Sequence, residues 1–210
     1  MQMQECSGES DELSSIEDVR AVLKTNEALL IHFNTPMSRH EFGYPQDLHD
    51  ALANPQWEMC YSTIQSAGLR PTQTDPKTAA ACGCVGVVVN LTEAKSLLRV
   101  HSGDAGSNDR GWGAGMGSMP SRATCGDSIA GRTTGYNEWY LSNATPIGIF
   151  SFPEPAMFNP GVDEIHRGLA AVVEEFCCHR IFTASTGEFH EFDRNSGNWK
   201  VCGYGDIIPE

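Results

Sequence analysis

Val85-Gly86-Val87-Val88-Val89-Asn90 carries four valines in six residues, with Gly83 and Gly86 beside them. β-Branched side chains lose rotamer freedom in a helix and pack well on a pleated surface, so the run predicts a central strand. Other short apolar runs read as its companions. Ala28 to Phe33 is a buried strand, and Trp57 to Ile64 alternates as a half-buried one. Leu97 to His101 and Glu138 to Leu141 follow, then Ile147 to Phe152, which Pro153 and Pro155 end. At the C-terminus Ile181 to Ala184, Glu188 to Asp193 and Trp199 to Tyr204 form a meander, with turns at Thr186-Gly187 and Asn195-Ser196-Gly197-Asn198.

Helix signals are fewer. Ser14 and Glu17 have capping-box spacing ahead of a helix that places Ile16, Val19 and Leu23 on one face. Asp47 to Ala53 predicts a short helix stopped at Asn54-Pro55. Asn159-Pro160-Gly161 leads into another, with Ile165, Leu169, Val172 and Phe176 in register. Ser66 to Thr78 is a polar loop, and residues 102–135, rich in Gly, Ser and Arg, predict a long one. The resulting expectation is an acidic flexible tail at 1–12 and a single α+β domain at 13–210. Its core is a mixed or antiparallel sheet, open to being split, with short helices and a C-terminal β-meander.

Composition narrows the partners. The formal net charge is −13, which opposes binding to nucleic acid through phosphate neutralisation. No apolar run reaches the roughly 18 residues that span a bilayer, so no membrane partner is expected. The first residues lack a basic region followed by an apolar one, so no signal peptide is expected, and the location is read as cytoplasmic or that of a delivered effector. The eight cysteines do not follow a disulfide framework and are read as reduced, mostly buried thiols.

The chemistry centres on Tyr136-Asn137-Glu138-Trp139-Tyr140-Leu141, where a carboxylate opens a strand between aromatic neighbours. A carboxylate so placed is costly unless partnered or exposed. Upstream lie a strand ending in His32-Phe33-Asn34 and the run Cys60-Tyr61-Ser62-Thr63-Ile64. Cleavage of NAD at its nicotinamide bond passes through an oxocarbenium-like ribosyl cation, as glycoside hydrolysis does. Such a site needs a carboxylate against the developing charge, donors that fix the dinucleotide and an aromatic wall for the nicotinamide. Glu138 suits the first role, and His32 the ribose or dinucleotide contact, with Ser62 and Thr63 as hydroxyls beside it. Tyr61, Tyr136 and Trp139 are candidate walls, and Arg99 is able to close over a ligand.

With these residues in this order the chain resembles the ADP-ribosyltransferase superfamily in its broad sense, bacterial toxins and defence enzymes included. There a first strand carries His or Arg, a second Ser-Thr or Tyr, and a later strand opens with the catalytic Glu. His32 matches the first position, Ser62-Thr63 the second and Glu138 the third, over roughly residues 28 to 152. Arginine-modifying members carry Glu-x-Glu, whereas here Tyr136 stands two residues before Glu138. The resemblance implies a toxin or defence effector that uses NAD as substrate. It would transfer ADP-ribose to a protein or small-molecule acceptor, or to water as an NAD glycohydrolase. The alternative is a non-catalytic acidic binding module, an immunity or adaptor protein whose negative surface masks a basic partner.

Other constellations carry less. The glycines from Gly103 to Gly117 lack the Gly-Lys-Ser/Thr of a phosphate loop. Cys82-Gly83-Cys84 and Cys177-Cys178-His179 depart from zinc spacing, and the second is read on a helix, where adjacent cysteines diverge; no metal is expected. Cys125 reads as an exposed thiol nucleophile candidate, with His101, His166 or His190 as its base. His190 and Asp193 resemble an iron-ligand pair, but strand alternation separates His190 and Phe192 from Glu191 and Asp193.

Overall fold

The computed structural model describes residues 11–34, 58–66, 85–102, 117–130, 137–151, 177–185 and 187–209. The helices expected at Asp47 to Ala53 and from Asn159 to Phe176 fall outside these residues, as does Tyr136. The described chain runs α1 (Ile16–Thr25), β1 (Ala28–Asn34), β2 (Met59–Gln65), β3 (Val85–Leu91), a 3-10 turn (Ala94–Ser96) and β4 (Leu97–His101). It continues through α2 (Arg122–Ala130), β5 (Glu138–Leu141), β6 (Ala144–Ser151), β7 (Ile181–Ser185), β8 (Glu188–Asp193), β9 (Asn198–Cys202) and α3 (Tyr204–Ile207). The strands form one nine-stranded mixed sheet in the order β4-β5-β2-β1-β3-β6-β7-β8-β9. β6 and β7 pair in parallel, and the other neighbours are antiparallel. This is the expected α+β fold, with the C-terminal strands as a meander.

β3 is the central strand its valines predict, paired with β1 over Val85–Val89 and with β6 along its length. Val87, Val88 and Val89 are buried. The register with β6 slips between Val88 and Val89, where Pro146 enters opposite Val89 and cannot donate to the ladder. Gly86 sits between Phe33 on β1 and Phe150 on β6, whose rings meet edge to face at 6.3 Å. A Cβ at Gly86 would lie 2.5 Å from Ile31 Cγ2 and 2.7 Å from the His32 carbonyl, so only glycine fits.

The cap of α1 is shifted from the expected position. Ser15, not Ser14, is the N-cap: its hydroxyl accepts from the Asp18 amide at 3.2 Å. The Asp18 carboxylate in turn accepts from the Ser15 amide at 2.9 Å and the Ser14 amide at 3.1 Å. Those hydrogen bonds, from Ser15 first, hold the Asp18 carboxyl below the usual range.

α2 corrects the reading of 102–135 as one loop. Its residues, including Cys125, Gly126 and Ser128, give no amphipathic period, so the helix depends on long-range partners. Ser121 and Thr124 cap it reciprocally, at 2.8 and 3.2 Å. Asp11 accepts from the amides of Arg122 and Ala123 at 2.9 and 2.8 Å, and Arg122 pairs with Asp18. The same region also contributes Ser118, which exchanges backbone hydrogen bonds with Val100 at 3.0 and 2.7 Å.

At the far end of the sheet, Arg180 grips Glu191 with two hydrogen bonds, at 2.8 and 2.7 Å, and lies 4.7 Å over the Phe182 ring. Phe192 packs edge-on against Trp199. Glu191 and Phe192 therefore point apart, as alternation predicts. β9 stops at Cys202 rather than Tyr204, because Asp206 accepts from the Gly203 amide at 2.8 Å and starts α3. Among the described residues, no helix is long and apolar enough to cross a membrane.

Candidate active site

β1, β2 and β5, the strands that carry His32, Ser62-Thr63 and Glu138, lie side by side, with β2 in the middle. β2 divides its pairing. Met59, Cys60 and Tyr61 pair with β5, whereas Ser62 to Gln65 pair with β1. Where the β1–β2 ladder stops, the His32 side chain takes over: Nδ1 donates to the Cys60 carbonyl at 2.7 Å. The ring also meets Tyr61 edge-on, with centroids 5.6 Å apart. Burial pushes the His32 pKa below 6.5, against a smaller opposing effect of the Cys60 hydrogen bond, so the ring is neutral near pH 7. A neutral imidazole that donates through Nδ1 keeps its lone pair on Nε2.

Glu138 opens β5 as the sequence predicts, and its setting is built by the residue before it. Asn137 is fully buried. Its Oδ1 accepts from the Thr63 amide at 2.8 Å and the Thr63 hydroxyl at 3.1 Å, and its carbonyl accepts from Ser62 Oγ at 2.7 Å. Its Nδ2 reaches the Ser128 carbonyl on α2 at 3.0 Å. Ser128 Oγ accepts from Trp139 Nε1 at 3.0 Å and donates to the His101 carbonyl at 2.9 Å. This network ties the start of β5 to β2, β4 and α2. A buried polar cluster of this kind is stabilising only when its members are satisfied, as they are here.

Several expected contacts have other tasks. The hydroxyls of Ser62 and Thr63 serve Asn137, so they hold Glu138 through its backbone rather than standing open to a dinucleotide. Trp139 is wholly buried and Tyr61 nearly so, at 0% and 3% exposed, and neither presents a ring face as a wall. Tyr136, the third aromatic candidate, lies outside the described residues. Arg99 sits half-buried on β4 opposite Tyr140.

Two residues that the sequence did not single out for this chemistry join Glu138. His101 opposes it across β4–β5, and the Tyr140 hydroxyl donates to Glu138 Oε2 at 3.2 Å. Residues directly opposed, or two apart on one strand, share a face. Arg99, His101, Glu138 and Tyr140 therefore form a polar face on β4–β5, with Cys60 of β2 opposite Tyr140. Tyr61, Trp139 and Val100 alternate onto the buried side. The sequence signal for this face was period-two alternation in Arg99-Val100-His101 and Glu138-Trp139-Tyr140.

The thiol candidate is corrected. Cys125 is buried on α2, and burial pushes its pKa up to about 12, so it is no ready thiolate. Cys177 and Cys178 precede β7 in irregular chain rather than a helix, and only Cys177 is exposed. Among the described residues, no group of His, Cys, Asp and Glu is arranged to hold a metal ion. No protein-family model, curated protein or solved structure matches the chain.

Proposed function

We propose that the chain is an NAD-using enzyme that cleaves the nicotinamide–ribosyl bond and passes ADP-ribose to a protein or small-molecule acceptor, in the manner of toxin or defence ADP-ribosyltransferases. The observation that carries this reading is the seat of Glu138. It is a half-buried carboxylate at the first residue of β5, locked through Asn137 to Ser62 and Thr63, one strand away from the break that His32 spans.

In the reaction, the C1′–N bond of the nicotinamide riboside breaks and the electron pair leaves with nicotinamide. Glu138 holds the ribose and stabilises the positive charge left on it; its hydrogen bond from Tyr140 fixes the carboxylate. His32 packs against Tyr61 on the face of the sheet away from Glu138, and supports the site by holding the β1–β2 edge through its bond to the Cys60 carbonyl. Arg99 offers a cation to its phosphates. The acceptor then attacks C1′ and gives up a proton, and with water as acceptor the product is free ADP-ribose. Nicotinamide release from NAD by the purified chain tests the reading. Release that falls by about 100-fold or more in Glu138→Gln, a usual loss for a positioned catalytic group, supports it. Absence of release, with no NAD-induced rise in melting temperature, overturns it.

A second reading, the non-catalytic binding module, is favoured by one feature. Trp199 and Val201 on the edge strand β9 are 41% and 61% exposed, beside Phe192. Exposed aromatic and branched side chains together are a common mark of a partner surface.

A further inference from the structure

Away from the β1–β2–β5 cluster, a mainly apolar cleft of about 410 Å³ lies between α1 and the C-terminal turn. One wall is the Arg20, Ala21 and Lys24 side of α1, and the other is Tyr204, Ile208 and Pro209. The size falls in the range of small-molecule sites, which are apolar with a few polar groups that fix orientation. Arg20 supplies the polar anomaly. Its Nη2 donates to the Leu91 carbonyl at 3.2 Å, and its Nε–H is buried with no acceptor among the described residues. No carboxylate among the described residues forms an ion pair with it; Glu17, at the rim of the cleft, is exposed. Arg20 is half-buried, and with Lys24 it sets two cations against the one carboxylate of Glu17 along the cleft; a carboxylate is the acceptor that matches the guanidinium fork.

We propose that this cleft binds a small amphipathic monocarboxylate, with the aliphatic tail between Ala21, Tyr204 and Ile208 and the carboxylate against Arg20, helped by the ammonium of Lys24. The charge favours an anion over a neutral chain of equal length. The apolar walls favour a tail over a compact anion such as acetate.

The test is calorimetric titration of the full chain with octanoate, hexanoate, acetate and octanol. Octanoate binds at least about tenfold more tightly than octanol, and each methylene added from hexanoate strengthens binding about threefold to fourfold until the cleft is full. Arg20→Gln brings octanoate down to the level of octanol. Gly205→Leu closes the site: a Cβ there meets nothing within 4 Å, so the added side chain enters open space on the cleft wall. That variant keeps its fold and loses both ligands. Equal affinity for octanoate and octanol overturns the proposal, as does undiminished octanoate binding in Gly205→Leu or no binding of octanoate by the parent chain.

Discussion

β2 and β3 flank the same strand, β1, and are built in opposite ways. β3 is bonded on both sides along nearly its whole length, and its interior is valine packed over a glycine. β2 gives its first three residues to β5 and its later ones to β1, and its core positions include Ser62 and Thr63. In β3, backbone pairing and apolar burial do the holding, so nothing is left over for chemistry. In β2, the ladder stops on the β1 side, and a side chain, His32, makes the bond that the backbone does not. The polar side chains of this part of the sheet thus gather at a break whose edges are held by buried polar contacts, and not at its most regular strand.

Substitutions sharpen that contrast. The largest effect is expected in β3, where Gly86→Ala drives a methyl against Ile31 and the His32 carbonyl. It should cost about 3 kcal/mol in urea unfolding, with no way to relax between two bonded neighbours. Asn137→Ala comes next, at about 2 kcal/mol, because it leaves the Thr63 amide without its acceptor in the interior. If Asn137 seats Glu138, this variant also loses nicotinamide release beyond its loss of stability. Loss of stability alone would reduce the network to a packing feature.

A third effect depends on pH. His32 titrates below 6.5 in the folded chain and near 6.5 when unfolded. Above that value neither state binds the proton. Below it the unfolded chain takes up a proton that the native chain refuses, so stability falls as pH falls, by at most about 1.4 kcal/mol per pH unit from this group. His32→Gln should flatten that slope between pH 6.5 and the folded pKa, and an unchanged slope would show that His32 is not buried neutral. The smallest effect belongs to the meander. Lys200→Ala removes a surface pair with Asp193 and should leave the urea midpoint nearly unchanged.

The strands were legible because their residues act locally. β-Branched and aromatic runs marked β3, β4, β5 and β8, with β4 at Leu97–His101 and β5 at Glu138–Leu141 as expected. The α1 cap was misplaced by one residue because Ser14-Ser15 and Glu17-Asp18 satisfy the same spacing twice, and only the carboxylate geometry of Asp18 chooses between them. α2 was not legible, since Asp11, Asp18 and Ser121 stabilise it and its own sequence has no helical period. Asn137 was missed for a similar reason. An asparagine before a strand looks like a turn residue, and its partner Thr63 stands 74 positions away in sequence. Ser62 and Thr63 were noticed, but their hydroxyls turn inward to that asparagine, which no short pattern reveals.

The most direct measurement is nicotinamide release from NAD by the parent chain, with Glu138→Gln beside it. Release by the parent chain that falls by about 100-fold or more in Glu138→Gln is the expected result. No release by the parent chain, or equal release by the two proteins, would contradict the role given to Glu138.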